Sequence, residues 1–501
     1  MSDKPPAKPP AKPSAKPPAN RKQPDLVSVT TINRDGSHFV LHPADVSGRF
    51  MTARRWFALL LLAIYVLLPW IPINGHPAVF FNVAEGRYHF MGLTFITQDL
   101  WLLFFLISGL GFGLFFVTAL FGRLWCGWAC PYTVFLEQVF RRIERWIDGD
   151  APERRRLDAA PWTASKIRKR VLKHGMFILC ALAISHLFLA YFVSLPTLYD
   201  YMRQSPLEQI RSFVLVFGLG LILYLCFARF REQFCIILCP YGRIQSALTD
   251  EDTTIIGYDE GRGEPRGKKG TEGAGDCIDC HRCVQVCPTG IDIRNGLQLE
   301  CIGCAACIDA CDEIMVKVGR PKGLVRYDSL NGFAGRASRL LRPRILLYSV
   351  LLLAGASALT LSLGRLKPIH AQVNRQVGMP FYVQDGQLRN QYKLELATKR
   401  NVETVFDVEF PNLPETARVS VVREALVLEP QSRAEATFNV TMPGVDFEGP
   451  FDLEVRISAE PGGSVIYRRI AFLGPDPRFF QQDREERDGR GSRSAQEGGG
   501  E

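Results

Sequence analysis

Apolar residues gather first in long unbroken runs along this chain and later in short alternating ones. Five stretches, roughly Trp56–Ile73, Leu100–Leu120, Gly175–Leu195, Phe213–Phe230 and Ile345–Leu363, are long enough, or nearly so, to cross a bilayer as helices. A soluble protein can bury one such helix, but five separated by charged loops predict membrane spans. After the fifth run the period drops to two. Phe406, Val408 and Phe410 alternate with polar residues, as do Ala436, Phe438, Val440 and Met442, and then Phe451, Leu453, Val455 and Ile457. Turn signals such as Asp385-Gly386, Pro443-Gly444 and Pro461-Gly462-Gly463 separate these runs. About seven short strands in roughly a hundred residues predict an all-β sandwich.

These patterns divide the chain into a disordered basic tail (1–50), a membrane part with four helices (51–244) and a hydrophilic insert (245–344). A fifth transmembrane helix (345–364), a β-domain (365–475) and a charged, Gly-rich tail (476–501) follow. The first residues repeat Lys, Pro and Ala with no apolar core, so no cleavable signal peptide is expected. The net charge of +9 does not collect into a nucleic-acid-binding stripe. It follows membrane topology instead. Arg141, Arg142, Arg145, Arg154, Arg155, Arg156, Lys166, Arg168, Lys169 and Arg170 crowd the loop between the second and third spans, whereas Asn74–Asp99 holds only Arg87. The positive-inside rule places the N-terminus and the insert in the cytoplasm and the β-domain outside.

The cysteines carry the chemistry. All 14 lie between Cys126 and Cys311, unlike the even spread of a secreted disulfide scaffold. Cys277, Cys280, Cys283 and Cys287-Pro288 form one run; Cys301, Cys304, Cys307 and Cys311 repeat its spacing. In two-cluster ferredoxins the fourth cysteine of each run ligates the other cluster. One [4Fe–4S] cluster is therefore expected on Cys277, Cys280, Cys283 and Cys311, and a second on Cys301, Cys304, Cys307 and Cys287. Zinc is the alternative for any C-x-x-C pair, but two matching four-cysteine runs favour clusters. Asp312 stands where a proline is common after the second run, which removes no ligand.

A second repeat flanks the membrane. Cys126-x-x-x-Cys130-Pro131-Tyr132 follows the second span and Cys235-x-x-x-Cys239-Pro240-Tyr241 the fourth, as in a duplicated hairpin. Residues four apart share a helix face, and each proline should break its helix at Cys130 or Cys239. Four converging thiols would suit Cu(I), zinc or a redox dithiol, and plain helix packing is the bland alternative. Cys180 and Cys226, within spans and without a motif, read as packing residues. His174 and His186 make no facing pairs for haem; His76, His89 and His370 offer an external metal site as an alternative, but scattered surface histidines usually bind none.

Taken together, five spans, twin C-x-x-x-C-P motifs, a two-cluster ferredoxin-type insert and a C-terminal immunoglobulin-like sandwich resemble the FixG/RdxA/CcoG family. The membrane part is also similar to NapH- and NosR-type proteins. The resemblance implies a multi-pass protein of the bacterial inner membrane that reduces Cu(II) to Cu(I) during assembly of a cbb-type cytochrome c oxidase. Its partners would be oxidase assembly factors or copper transporters and chaperones, with an unknown electron donor and lipid around the spans. Cys126, Cys130, Cys235 and Cys239 would then bind copper or relay electrons. The competing expectations are a quinol-oxidising conduit to a periplasmic reductase and a non-enzymatic redox-sensing assembly scaffold.

Overall fold

The computed structural model describes residues 40–268, 270–421 and 426–480. Most of the expected basic tail, and the C-terminal tail beyond residue 480, lie outside the described residues. The chain divides into two compact units. One holds the chain up to Ile71 together with residues 77–81 and 103–358; the other holds residues 72–76 and 82–102 and everything from Leu359 on.

Among the described residues, five helices are long and apolar enough to cross a membrane: Arg49–Trp70, Trp101–Phe121, Ala164–Leu189, Ile210–Phe230 and Pro343–Gly364. Between 6% and 22% of each apolar window is buried within the protein, so most of this apolar surface is left for lipid to cover. The third helix begins well before the expected Gly175. Thr163 caps it by accepting Lys166 N–H, and Lys166 and Lys173 find local partners in Ala160 O and Asp148 Oδ2. The basic turns thus extend the helix beyond its apolar run. The helix stops at Leu189, because Ser194 caps a separate helix, Leu195–Arg203. The third and fourth spans pack closely at Gly220, where a Cβ would lie 2.9 Å from Leu182 Cδ2, and Ser185 Oγ donates to Val216 O at 2.7 Å.

The hydrophilic insert is built around its cysteine loops. Strand Ile255–Tyr258 pairs antiparallel with Val325–Asp328. Between them lie the short helix Arg282–Gln285 and the longer Ala306–Val318, each entered through a left-handed residue, His281 and Ala305.

The second unit contains a two-sheet β-fold of nine strands among the described residues. The first sheet orders Arg418–Val421, Arg433–Pro443, Gln387–Thr398 and Ile369–Arg375, with Tyr382–Gln384 on the edge of Gln387–Thr398. The second orders Leu426–Leu428, Thr404–Glu409, Phe451–Glu460 and Ser464–Phe472. The inward residues of both sheets, among them Tyr392, Phe438, Val440, Leu453, Val455 and Ile457, form one core. About seven strands were expected; Tyr382–Gln384 and Leu426–Leu428 are three-residue edge pieces, too short for alternation to register. Leu453 is fully buried, so Leu453→Ala should cost about 2–5 kcal/mol. Calorimetry on the full chain should show the β-domain transition move to lower temperature.

Candidate iron–sulfur and thiol site

The two cysteine runs wrap two small cavities. One is lined by Cys277, Cys280, Cys283 and Cys311, and the other by Cys287, Cys301, Cys304 and Cys307 with Cys283 on its edge. The fourth cysteine of each run therefore lies beside the other run's first three, and the cavities share the Cys283 wall. Tight loops make this possible: Asp279, His281 and Ala305 all take positive φ, turning the chain back between thiols. Burial pushes the Cys283, Cys301 and Cys311 thiols up to about 12 and Cys304 to about 11. Thiolates held there need a cationic partner, which the iron of a [4Fe–4S] group supplies. The donor set fits such a group.

The membrane repeat lies against the second run. Cys126 sits on the short helix Leu124–Trp128 and packs against a buried cluster that includes Ile302 and Cys304. At Gly127 a Cβ would lie 2.6 Å from Ile302 O and 2.9 Å from Cys304 N, and at Gly303 (φ +68) 2.9 Å from Arg123 O. Only glycine allows the two backbones this close. The carbonyl of Gly127 also accepts Arg54 Nε at 2.6 Å.

Each proline breaks its helix at the expected place. Cys130 and Cys239 have ψ of 122° and 112° and precede helices Pro131–Phe135 and Pro240–Leu248. The two thiols of the first pair do not share one helix, because the break falls between Cys126 and Cys130. The four thiols still come together. Burial, then the neighbouring cysteines, raise Cys126 and Cys235 to about 12. Among the described residues no three His, Cys, Asp or Glu side chains are placed to hold one metal ion.

The tyrosines of the repeat exchange across the duplication. Tyr132 OH donates toward Arg231 O at 2.6 Å and Cys226 O at 3.0 Å, at the end of the fourth span. Tyr241 OH and Thr118 Oγ1 lie 2.5 Å apart, tying the second motif to the second span. Arg123 Nη2 adds a bond to Gly242 O at 2.7 Å. Each motif is thus anchored on the other hairpin.

Sequence comparisons match each part. A 4Fe-4S dicluster domain profile covers residues 230–330 and a 4Fe-4S binding domain profile residues 101–149. The profile of an Ig-like fold at the C-terminal of FixG covers residues 359–475. Protein RdxA of Cereibacter sphaeroides is 38% identical over 372 residues, 71% of this chain and 79% of its own. The chain belongs to the FixG/RdxA family. Nitrogen fixation protein FixG of Rhizobium meliloti is 40% identical over 309 residues, 59% of this chain and 58% of its own length. Ferredoxin-type protein NapH of Haemophilus influenzae is more distant, at 25% over 269 residues, 50% of this chain and 77% of its own. This family member is an iron–sulfur electron-transfer protein of the membrane.

A buried ion-pair network around the repeat had no counterpart in the sequence reading. Arg231 binds Glu144 through two bonds of 2.8 and 3.0 Å, and Lys173 binds Asp148 at 2.7 Å. Arg141 pairs with Glu137, reaches Glu232 Oε2 at 3.0 Å and donates to Pro288 O at 3.1 Å, beside Cys287. The Arg-rich loop suggested topology alone; no spacing signal joins residues 91 positions apart, as Arg141 and Glu232 are. His76 and His89 do come together, stacked with ring centroids 4.0 Å apart, and burial pushes His89 down to about 4.

Burial alone would raise the Glu144 carboxyl, but Arg231 and Lys173 hold it down to about 2, below its ordinary 4.5. A depressed carboxylate contributes its stability above the unfolded value and loses it as pH falls through the folded one. Glu144→Gln should therefore destabilise the protein at neutral pH. Denaturant titrations should show that difference shrinking between pH 4.5 and pH 2.

Proposed function

We propose that this chain is a cupric reductase, passing single electrons to Cu(II) at the C-x-x-x-C-P thiols in the service of cbb-type oxidase assembly. The close approach of Gly127, next to Cys126, to Ile302 and Cys304 carries this reading, because it brings the first membrane-edge motif against the second cysteine loop. In this reading Cys277, Cys280, Cys283 and Cys311 hold one cluster and Cys301, Cys304, Cys307 and Cys287 the other. When bound, these clusters supply one-electron oxidation and reduction.

The chain's own residues do the rest. Thiolates are soft ligands that favour Cu(I) over Cu(II), so Cys126, Cys130, Cys235 and Cys239 favour the product of reduction. Copper is taken up by these thiols as a substrate and released once reduced. Arg54 and Arg123 lie beside Cys304, Cys301 and Cys126 and favour their ionised forms. By the positive-inside rule the clusters and these thiols face the cytoplasm and the β-domain the periplasm, where it docks on partner proteins.

The test is anaerobic. Dithionite-reduced protein, freed of excess reductant, is mixed with Cu(II); Cu(I) is read with a chelator and cluster reoxidation by EPR. The expected result is stoichiometric Cu(I), lost in a Cys130→Ala, Cys239→Ala double variant with full iron content. Clusters that stay reduced in excess Cu(II) sink the proposal. For the ligand sets, Cys311→Ser should change the EPR signal of the first-run cluster; a change confined to the second-run cluster overturns the crossed assignment.

A further inference from the structure

The apolar run of the first span begins at Trp56, and Arg55 just before it is the last Lys, Arg, Asp or Glu until Glu85. Its guanidinium is poorly matched. Nη2 reaches only Val46 O, at 3.5 Å, and Nε is buried without a partner among the described residues. Helix Arg141–Asp148 meets the same short segment through Arg145, whose Nε binds Asp45 Oδ2 at 2.7 Å. Arg142, one turn earlier on that helix, has no hydrogen-bond or ion-pair partner among the described residues. Glu137, the other carboxylate close by, is taken by Arg141, and Arg154 is paired with Glu144. The guanidiniums of Arg55, Arg142 and Arg145 thus gather round one carboxylate, Asp45. Burial first, and the Arg55 charge second, push the Arg142 pKa down. Like charges this close, and partly withdrawn from water, call for an anion. Two tryptophans fix its depth. Trp56 is 70% exposed, and Trp146, one turn beyond Arg142 on the same face, is 77% exposed. Exposed tryptophans at the end of a span sit at the headgroup level of a bilayer.

We propose that Arg55 and Arg142 bind the phosphate of an anionic phospholipid, in the leaflet at the N-terminal end of the first span, with Trp56 and Trp146 against its glycerol and upper acyl chains. Guanidinium forks match phosphate oxygens in pairs, and Arg145 stays on Asp45. A zwitterionic lipid brings its own cation to a site already rich in them, so a headgroup with net negative charge is selected. Val46, which Arg55 touches, belongs to the buried cluster of Ile302 and Cys304 on which Cys126 packs. An occupied site therefore ties the lipid surface to the segment packed on the second cysteine loop. Lipid binding here is independent of copper reduction.

The test reads binding directly. The detergent-purified holoprotein is titrated with dioleoyl phosphatidylglycerol, and separately with dioleoyl phosphatidylcholine, and lipid adducts are followed by native mass spectrometry. A saturable phosphatidylglycerol adduct is expected, about tenfold tighter than the phosphatidylcholine one and weakened about tenfold by Arg55→Gln or Arg142→Gln. An Arg155→Gln, Arg156→Gln double variant, at exposed positions of the same basic loop, should leave it unchanged. Iron content and thermal unfolding verify that each variant is folded; one intact variant at Arg55 or Arg142 suffices. Equal binding of the two lipids overturns the proposal. So does phosphatidylglycerol binding unchanged in an intact Arg55 or Arg142 variant, or weakened as much by the Arg155, Arg156 variant, the result expected of a diffuse positive surface. Displacement of the lipid by an equal concentration of inorganic phosphate would reveal a site for a soluble anion and overturn the lipid assignment.

Discussion

Two glycines, Gly127 and Gly303, let the backbone of the membrane repeat touch the backbone of the second cysteine loop. A side chain at either position would push the two segments apart, because the atoms it would meet belong to the main chain and cannot swing aside. That contact brings the short helix carrying Cys126 against the loop carrying Cys304. Redox groups act over short distances, so the proposed relay to the membrane-edge thiols needs the insert held close. The insert is seated on the first motif.

Charge pairing and the exchanged tyrosines hold that seat. Arg141 bonds two carboxylates and the carbonyl of Pro288, so one guanidinium links the polar end of the membrane helices to the loop carrying Cys287. Buried ion pairs contribute little net stability compared with apolar packing, but they penalise any arrangement that leaves a charge unpaired. Here that penalty specifies orientation. Tyr132 and Tyr241 add a second constraint, since each hydroxyl is satisfied only when the two hairpins lie side by side. The duplicated sequence thus closes on itself as a duplicated structure.

The polar and apolar halves of the molecule solve different problems. The five spans leave most of their apolar surface to lipid, while the β-domain hides its own between two sheets. The insert buries thiols, and burial makes isolated thiolates costly. Iron–sulfur binding and the folding of the insert are coupled for that reason, as metal binding and folding are in other small metal domains.

Much of this was legible in the chain itself. Five continuous apolar runs separated by charged loops point to spanning helices, and period-two alternation means one buried sheet face, so spans and sandwich followed from composition and order. Cysteine spacing marked both cluster runs, and proline marked both helix breaks, because these effects are local in sequence. The start of the third helix was missed, since its basic turns gain their partners from a neighbouring segment at Asp148 and Ala160. Beyond the reach of sequence were the Arg141 and Glu144 pairings, the tyrosine exchange, and the glycine contact between Gly127 and Gly303. Each joins groups from separate segments, and only packing in three dimensions decides which of many available arginines, carboxylates and glycines meet.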